Sequence, residues 1–297
     1  MRPGTIPLRP LGLGDIFDGA VRSIRFAPSV MFGLTALVMV VAGLAQSFPL
    51  FMPQASIEDF LYADEVNSML ANGAGQIVAF LASAILTGML TYTVAQGAIG
   101  KKVTIGSSWN AIGRRIPPLI GQVFLVALML AAAILVPLVP LVIGLAIGQD
   151  ELGSNVGMAI VLGLAGLFAA AAAACWVTVR TVFAPAALVL EGQGVIQSIK
   201  RSWQLTQGRF WRTLGIYLLV SMIAGMIAGV VSVPVSLVAL FATEASTIGL
   251  AVSTVVATVL SGMLSTPFVA ATVALLYLDA RIRSEGLDLA LMRAAQE

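Results

Sequence analysis

Long apolar segments alternate with short polar segments along the whole chain. Six segments are apolar enough, and long enough at about 20 residues, to cross a membrane as helices. They lie near 28–48, 76–98, 118–146, 156–179, 213–241 and 249–278. A segment with acidic residues and no Lys or Arg separates the two members of each pair, and a basic stretch separates one pair from the next. The pattern therefore predicts an all-α integral membrane protein with six transmembrane helices arranged as three hairpins.

A short amphipathic segment precedes each hairpin. In the first, 15–26, Ile16 lies on an apolar face and Arg22 and Arg25 lie on the opposite face, with the 3.6-residue period of a helix. Asp18 and Arg22 are one turn apart, which is the spacing of an ion pair on a helix. We expect this segment to lie in the headgroup plane of the membrane.

The segments 104–115 and 195–207 repeat this pattern, with Trp109 and Trp203 on their apolar faces and cations opposite. We call the three amphipathic segments together the collar. One interpretation is that each segment is an elbow that orients the following hairpin. The other is that the collar docks lipid headgroups or a protein partner at the cytoplasmic face. Both interpretations can hold at once.

Positive charge follows the same division of the chain. All sixteen Lys and Arg residues lie outside the three apolar stretches 26–100, 116–179 and 213–280. The turns inside the hairpins carry acids instead, namely Glu58, Asp59, Asp64, Glu65, Asp150, Glu151 and Glu244. Because positive loops stay in the cytoplasm, we predict a multi-pass protein of the plasma (inner) membrane with both termini cytoplasmic.

Composition agrees with a single membrane domain over 1–297. Hydrophobic residues make up 59% of the chain and charged residues 10%, whereas soluble domains carry about 25% charged residues. Thirteen Arg against three Lys, with abundant Ala, are typical of a bacterium with a GC-rich genome.

An internal repeat is predicted over about 12–100, 101–190 and 191–290. Ser108-Trp109 corresponds to Ser202-Trp203, and the returning helices end alike, in Tyr92–Gln96, Trp176–Arg180 and Tyr277–Arg281. Aromatic and Arg residues also recur at the interfaces of unrelated membrane proteins, which is the alternative explanation. A true repeat implies three parallel hairpins around a pseudo-threefold axis.

Several polar strings near the ends of the predicted helices resemble one group of proteins. The strings are Arg9–Ala20, Leu188–Gly192, Gly208–Arg212, Tyr277–Arg281 and Glu285–Leu289. They resemble the actinobacterial membrane proteins labelled glycerophosphoryl diester phosphodiesterase membrane domain. In that group some members carry a fused soluble phosphodiesterase barrel, which has no counterpart in this chain. The resemblance implies an association with lipid or envelope metabolism and assigns no catalytic residue.

Residues suited to catalysis are scarce in the sequence. The chain has no His, which removes the Ser-His-Asp and Cys-His nucleophile sets and most zinc sites. The centres of the predicted spans hold no ionisable residue, which argues against an ion-coupled pump. The single Cys175 is interpreted as a small packing residue. We therefore predict a protein that is not an enzyme, with no catalytic, cofactor-binding or metal-binding residues, no cofactor and no nucleic-acid partner.

Small residues and prolines are interpreted as features of helix packing. Gly225 and Gly229 give the fifth span an edge of small residues, and Gly166 contributes to a similar edge on the fourth. We expect close contacts within the bundle, with homodimerisation as the alternative. Four prolines, Pro137, Pro140, Pro234 and Pro267, are expected to bend their helices and could frame a cavity.

Arg180 is the most unusual cation because apolar residues lie on both sides of it. A helix over 156–190 would be about 52 Å long at 1.5 Å per residue. We therefore expect a bend at Pro185, with Arg180 at the inner interface. Three interpretations of Arg180 stay open: its guanidinium snorkels to phosphates, pairs with Glu191 or another acid, or binds a specific headgroup.

Two functions follow from these observations. The first is a non-catalytic scaffold or accessory subunit of a lipid or envelope process, which contacts anionic headgroups and protein partners. The alternative is a transporter or lipid flippase with a cavity among proline-bent helices. The candidate headgroup or partner contacts are Arg22, Arg25, Arg114, Arg115, Arg180, Lys200, Arg201, Arg209, Arg212 and Arg281.

Overall fold

The computed structural model describes residues 11–48, 64–98, 100, 103–147, 156–242 and 247–285. Both terminal segments and most of the acidic turns predicted inside the hairpins lie outside these residues. Every regular element in the described part of the chain is an α-helix. The prediction of an all-α protein is therefore confirmed.

Six long helices are apolar enough to cross a membrane. They are α2 (Pro28–Ser47), α3 (Asp64–Ala98), α5 (Ile116–Ile147), α6 (Val156–Thr181), α9 (Phe210–Ala242) and α10 (Thr247–Glu285). Their positions agree with the six predicted spans, and the chain is therefore a polytopic membrane protein. α3 begins well before the predicted 76, so its first turns extend the apolar span 75–97 toward the acidic segment.

Four short helices complete the described structure: α1 (Leu13–Phe26), α4 (Ile105–Gly113), α7 (Ala184–Glu191) and α8 (Val195–Thr206). Helices α1, α4 and α8 coincide with the three segments of the collar. The backbone N–H of Ser107 donates a hydrogen bond of 3.2 Å to the side chain of Thr104, which caps the start of α4. Asp18 and Arg22 on α1 form no ion pair among the described residues, so the pairing suggested by their spacing is wrong.

The helix is interrupted between α6 and α7. This interruption was predicted because a continuous helix over 156–190 would be longer than the membrane is thick. α6 ends at Thr181, and α7 begins at Ala184 with Pro185 in its first turn, where proline is well tolerated. Gly192 ends α7 with a φ of 70°, a left-handed conformation that favours glycine. Most of α7 is buried against α3 and α8.

The long helices pack next to their neighbours in sequence, α2 with α3, α5 with α6, and α9 with α10. α10 also contacts α2, α1 and α3, and so occupies a central position. The largest buried side chains gather at one end of the bundle, around Leu90, Phe183 and Tyr277. By contrast, large apolar side chains on α5, α6 and α9 are exposed along much of these helices, as expected for surfaces that face lipid.

The two helix edges that were predicted to pack through small residues differ in their contacts. A methyl group added to Gly166 on α6 would lie 2.8 Å from the carbonyl oxygen of Pro137 on α5, so this glycine permits a close contact between the helices. A methyl group at Gly225 or Gly229 on α9 would meet no described atom within 4 Å. The prediction that these two glycines pack closely within the bundle is therefore wrong, because the described helices leave that edge open.

Candidate functional site

Asp279 organises a cluster of charges at the buried end of the bundle. It is fully buried on α10 and accepts a hydrogen bond of 2.8 Å from the backbone N–H of Leu11. Arg212 of α9 and Arg283 of α10 both form ion pairs with its carboxylate. Both guanidinium groups also donate to the carbonyl oxygen of Leu11, at 2.9 Å each. One carboxylate and two cations thus hold both backbone polar groups of Leu11, its N–H and its carbonyl oxygen, and we call this set the Asp279 cluster.

Glu191, at the end of α7, organises a second cluster, which we call the Glu191 cluster. Its carboxylate pairs with Arg201 of α8 at 3.1 Å and with Arg281 of α10 at 3.5 Å. It also accepts hydrogen bonds from the hydroxyl of Tyr277 and from the side-chain amide of Gln193. These charges are partly buried, and their pairing and hydrogen bonds offset the loss of hydration. The cluster joins α7, α8 and α10.

Two further cations bind backbone carbonyls. Arg115 donates to the carbonyl oxygen of Val189 in the last turn of α7, where the partial negative charge of the helix end favours a cation. Arg209 donates to the carbonyl oxygen of Ala280 in α10 at 3.0 Å. These contacts join the start of α5 to α7 and the start of α9 to α10.

Arg180 makes contacts that none of its three interpretations fully anticipated. It forms no ion pair with Glu191; its guanidinium donates to the carbonyl oxygen of Trp203 at 3.3 Å. The same group lies 5.8 Å from the ring centre of Trp176 and 5.9 Å from that of Phe210, within the range of cation–π attraction. Arg180 therefore links α6 to α8 and α9 inside the protein.

Four of the ten predicted contact residues remain exposed: Arg22, Arg25, Arg114 and Lys200. Within the part of the chain that the structure describes, none of their side chains forms a hydrogen bond or an ion pair. The other six residues, Arg115, Arg180, Arg201, Arg209, Arg212 and Arg281, make the intramolecular contacts given above.

Exposed apolar side chains accompany these four cations. Phe26 is exposed beside Arg25 on α1, and Trp109 on α4 is 53% exposed. Ile196 on α8 is 62% exposed, four residues before Lys200. An exposed aromatic or aliphatic side chain beside an exposed cation is the pattern of a helix in a membrane interface.

Sequence reasoning missed Gln122. It is the only side chain in α5 that carries an amide, it is 1% exposed, and neither its Nε2 nor its Oε1 has a hydrogen-bond partner among the described residues. A lone amide in an otherwise apolar helix was a visible signal in the sequence. That this amide is buried without a hydrogen-bond partner is evident only in the structure, because the residues that surround it come from other helices as well.

Among the described residues, no group of three or more Cys, Asp or Glu side chains is arranged to hold a metal ion. The two carboxylates of the charge clusters, Asp279 and Glu191, are each occupied by two Arg side chains. The arrangement at this end of the bundle is thus one of charge pairing and helix anchoring.

A family model with the description Domain of unknown function (DUF7847) matches residues 11–277. The chain belongs to this family. The match begins at Leu11 of the Asp279 cluster and ends at Tyr277 of the Glu191 cluster, so the DUF7847 region includes nearly the whole bundle. No curated protein matches the chain, and no solved structure matches it.

Proposed function

We propose that this DUF7847 protein is a non-catalytic scaffold or accessory subunit of the bacterial plasma membrane, with both termini in the cytoplasm. The observation that carries the proposal is the division of the cations into two sets. Six of the predicted contact residues are engaged inside the protein, whereas Arg22, Arg25, Arg114 and Lys200 stay exposed on or beside the collar helices.

The four exposed cations support binding of anionic lipid headgroups. Each cation near an anionic membrane surface contributes about 1 kcal/mol of attraction. Trp109 and Ile196 expose apolar surface on the same short helices, and such side chains bury themselves at the acyl boundary. In this proposal the collar lies at the inner headgroup layer.

A recurring hydrogen bond supports the proposed repeat of three hairpins around a pseudo-threefold axis. The hydroxyl of Ser108 on α4 lies 3.3 Å from that of Thr93 near the end of α3. The hydroxyl of Ser202 on α8 donates to the carbonyl of Arg180 near the end of α6, at 2.6 Å. In both units the buried serine before the collar Trp contacts the end of the preceding long helix.

The link to lipid or envelope metabolism comes from the sequence resemblance to the glycerophosphoryl diester phosphodiesterase membrane domain. The strings that carry this resemblance supply Leu11, Glu191, Arg212 and Asp279 to the two charge clusters. These residues support the architecture of a membrane platform, and the exposed collar residues supply its contact surface.

Reconstitution into nanodiscs with defined fractions of phosphatidylglycerol tests the headgroup surface. We expect the wild-type protein to retain phosphatidylglycerol preferentially, and the retention to weaken as salt screens the charges. Replacing Arg22, Arg25, Arg114 and Lys200 with Gln should remove this preference, whereas exchanging Arg and Lys at these four positions should preserve it. Equal retention by the Gln variant and the wild type would contradict the proposal.

Crosslinking in the native host tests the scaffold role. We expect a tagged chain to enrich at least one protein of lipid or envelope metabolism. Loss of this enrichment in the four-residue Gln variant would place the partner at the collar. Recovery of the tagged chain alone, in repeated experiments with several crosslinker lengths, would count against a scaffold.

The second candidate function is a transporter or lipid flippase. The observation that favours it is a cavity of about 220 Å³ between α3, α5 and the break after α6. Pro185 lines this cavity, whereas the four prolines predicted to frame one, Pro137, Pro140, Pro234 and Pro267, do not. A vesicle assay that follows movement of a fluorescent lipid between leaflets tests this candidate: protein-dependent movement supports it, and its absence removes it.

A further inference from the structure

A cavity of about 220 Å³ lies between three membrane-spanning helices, and none of the residues given for its lining belongs to the collar. Phe80, Ser83 and Thr87 of α3 form one wall, and Gln122 of α5 faces them. Thr181 at the end of α6 and Pro185 at the start of α7 also line the cavity. The break between α6 and α7 thus contributes one side of the cavity.

The cavity leads from an exposed rim to a buried floor. Phe80 is 45% exposed and belongs to the apolar span 75–97. Gln122 and Thr181, by contrast, are buried at 1% and 5% exposure. Because the rim belongs to an apolar, membrane-spanning segment, we expect a molecule to reach this cavity from the hydrocarbon region of the bilayer.

The side-chain amide of Gln122 has no hydrogen-bond partner among the described residues. Its amide can donate two hydrogen bonds and accept two, and none of them is made with a described residue. The neighbouring hydroxyls are already used as donors: Thr87 donates to the carbonyl of Ser83, and Thr181 to that of Val177. Burying an amide without hydrogen-bond partners is unfavourable, so a bound molecule that pairs with Gln122 is stabilised there.

The lining defines the chemistry of that molecule. Among the described residues, no charged side chain lines the cavity, and its walls are mostly apolar, so a charged head would lose its hydration without compensation. Drug-sized ligands occupy pockets of about 300–1,000 Å³, so a space of about 220 Å³ holds one alkyl chain and a small head, not a whole phospholipid. Gln122 both donates and accepts, which suits a hydroxyl or an ester carbonyl.

We propose that this cavity is a binding site for an uncharged single-chain lipid, such as a monoacylglycerol, whose hydroxyl or ester carbonyl pairs with the Gln122 amide. The chain lies along the apolar wall and leaves past Phe80 into the bilayer. This inference stands apart from the proposed headgroup surface, because none of its residues belongs to the collar.

Titration of the full chain with monooctanoylglycerol, followed by native mass spectrometry, tests the site. We expect saturable binding of one molecule per chain, and binding about tenfold weaker for octane, because one hydrogen bond to a buried amide is worth about 1–1.5 kcal/mol. Octanoate, with a charged head, should bind no better than octane.

Two variants and one control locate the binding. Gln122→Leu should weaken binding of monooctanoylglycerol about tenfold and leave octane unchanged. Ala84→Phe, which places a ring in the cavity lining, should reduce binding of both molecules. Ala131→Phe adds the same ring at an exposed position of α5 and should change neither.

Three results would overturn the inference. The first is the absence of saturable binding by the wild type, which would mean that water alone fills the cavity. The second is an unchanged preference for monooctanoylglycerol over octane in Gln122→Leu. The third is equal binding by Ala84→Phe and Ala131→Phe. If Gln122→Leu does not fold, the comparison of Ala84→Phe with Ala131→Phe still decides the question.

Discussion

The carboxylate of Asp279 accepts a hydrogen bond from the backbone N–H of Leu11, although 268 positions separate the two residues along the chain. Arg212 and Arg283 complete the contact from the other side, because they pair with Asp279 and donate to the Leu11 carbonyl. This contact ties the start of the described chain to its last helix.

Replacing Asp279 with Ala should destabilise the protein by about 1–3 kcal/mol, because it leaves the buried backbone N–H of Leu11 without its acceptor. Thermal unfolding in nanodiscs measures the effect. Asp18→Asn is the matched control: Asp18 is an exposed acid with no ion pair among the described residues, so its change should stay within about 0.5 kcal/mol. Equal effects of the two variants would contradict the assigned role of Asp279.

The hydroxyl of Tyr277 should contribute measurably to stability through its bond to the Glu191 carboxylate. Tyr277→Phe should cost about 1.5–3 kcal/mol, the range for a hydrogen bond to a charged group. Tyr217→Phe is the control, since the Tyr217 hydroxyl has no partner in the described structure.

A double-mutant cycle checks that Tyr277 and Glu191 act together. Glu191→Gln alone should be destabilising, because Arg201 and Arg281 lose their acid. Tyr277→Phe added to Glu191→Gln should cost less than it does in the wild type, with an interaction energy of about 0.5–3 kcal/mol. Strict additivity would mean that the hydroxyl does not depend on the carboxylate.

Two glycines should respond to alanine in opposite directions. Gly166→Ala should destabilise the contact between α5 and α6, because the new methyl group meets the Pro137 carbonyl at 2.8 Å. Gly225→Ala meets no described atom within 4 Å and should stabilise α9 by about 0.5–1 kcal/mol through helix propensity. Thermal unfolding of both variants, compared in one bilayer composition, tests this difference in sign.

Membrane orientation is open to a direct test with single cysteines in a Cys175→Ser background. Gln207→Cys, at the end of α8, should react with a membrane-impermeant maleimide only after cells are permeabilised. Ile248→Cys, at the exposed start of α10, should react in intact cells. The reverse labelling would contradict the orientation predicted from the positive loops.

Helix positions follow from local features of the sequence. Long apolar stretches predicted the six spans, and the helical period of apolar residues predicted the collar helices α1, α4 and α8. The break before Pro185 was predictable because a continuous helix would exceed the thickness of the membrane. These features depend on neighbours within a few turns, so the sequence alone is enough to predict them.

Contacts between distant residues were not predictable in the same way. From the sequence, both Arg201 and Arg212 were predicted to be cations of the inner interface. In the structure Arg201 pairs with Glu191, and Arg212 pairs with Asp279. The partnerless amide of Gln122 likewise depends on α3 and α6, which lie beside it only in the folded bundle. Helix periodicity contains no information about which distant side chains meet.

The contact between Leu11 and Asp279 also sets an order for biosynthesis. At roughly 5–20 residues per second, the 268 positions between them correspond to roughly 13–54 s of translation. During that interval Leu11 has emerged while its acceptor does not yet exist. The contact between the amino-terminal segment and Asp279 therefore forms only after α10 has been made. A chain that stops before α10 leaves the Leu11 N–H without its acceptor and Arg212 without its carboxylate, and we expect such a chain to be more open to proteolysis.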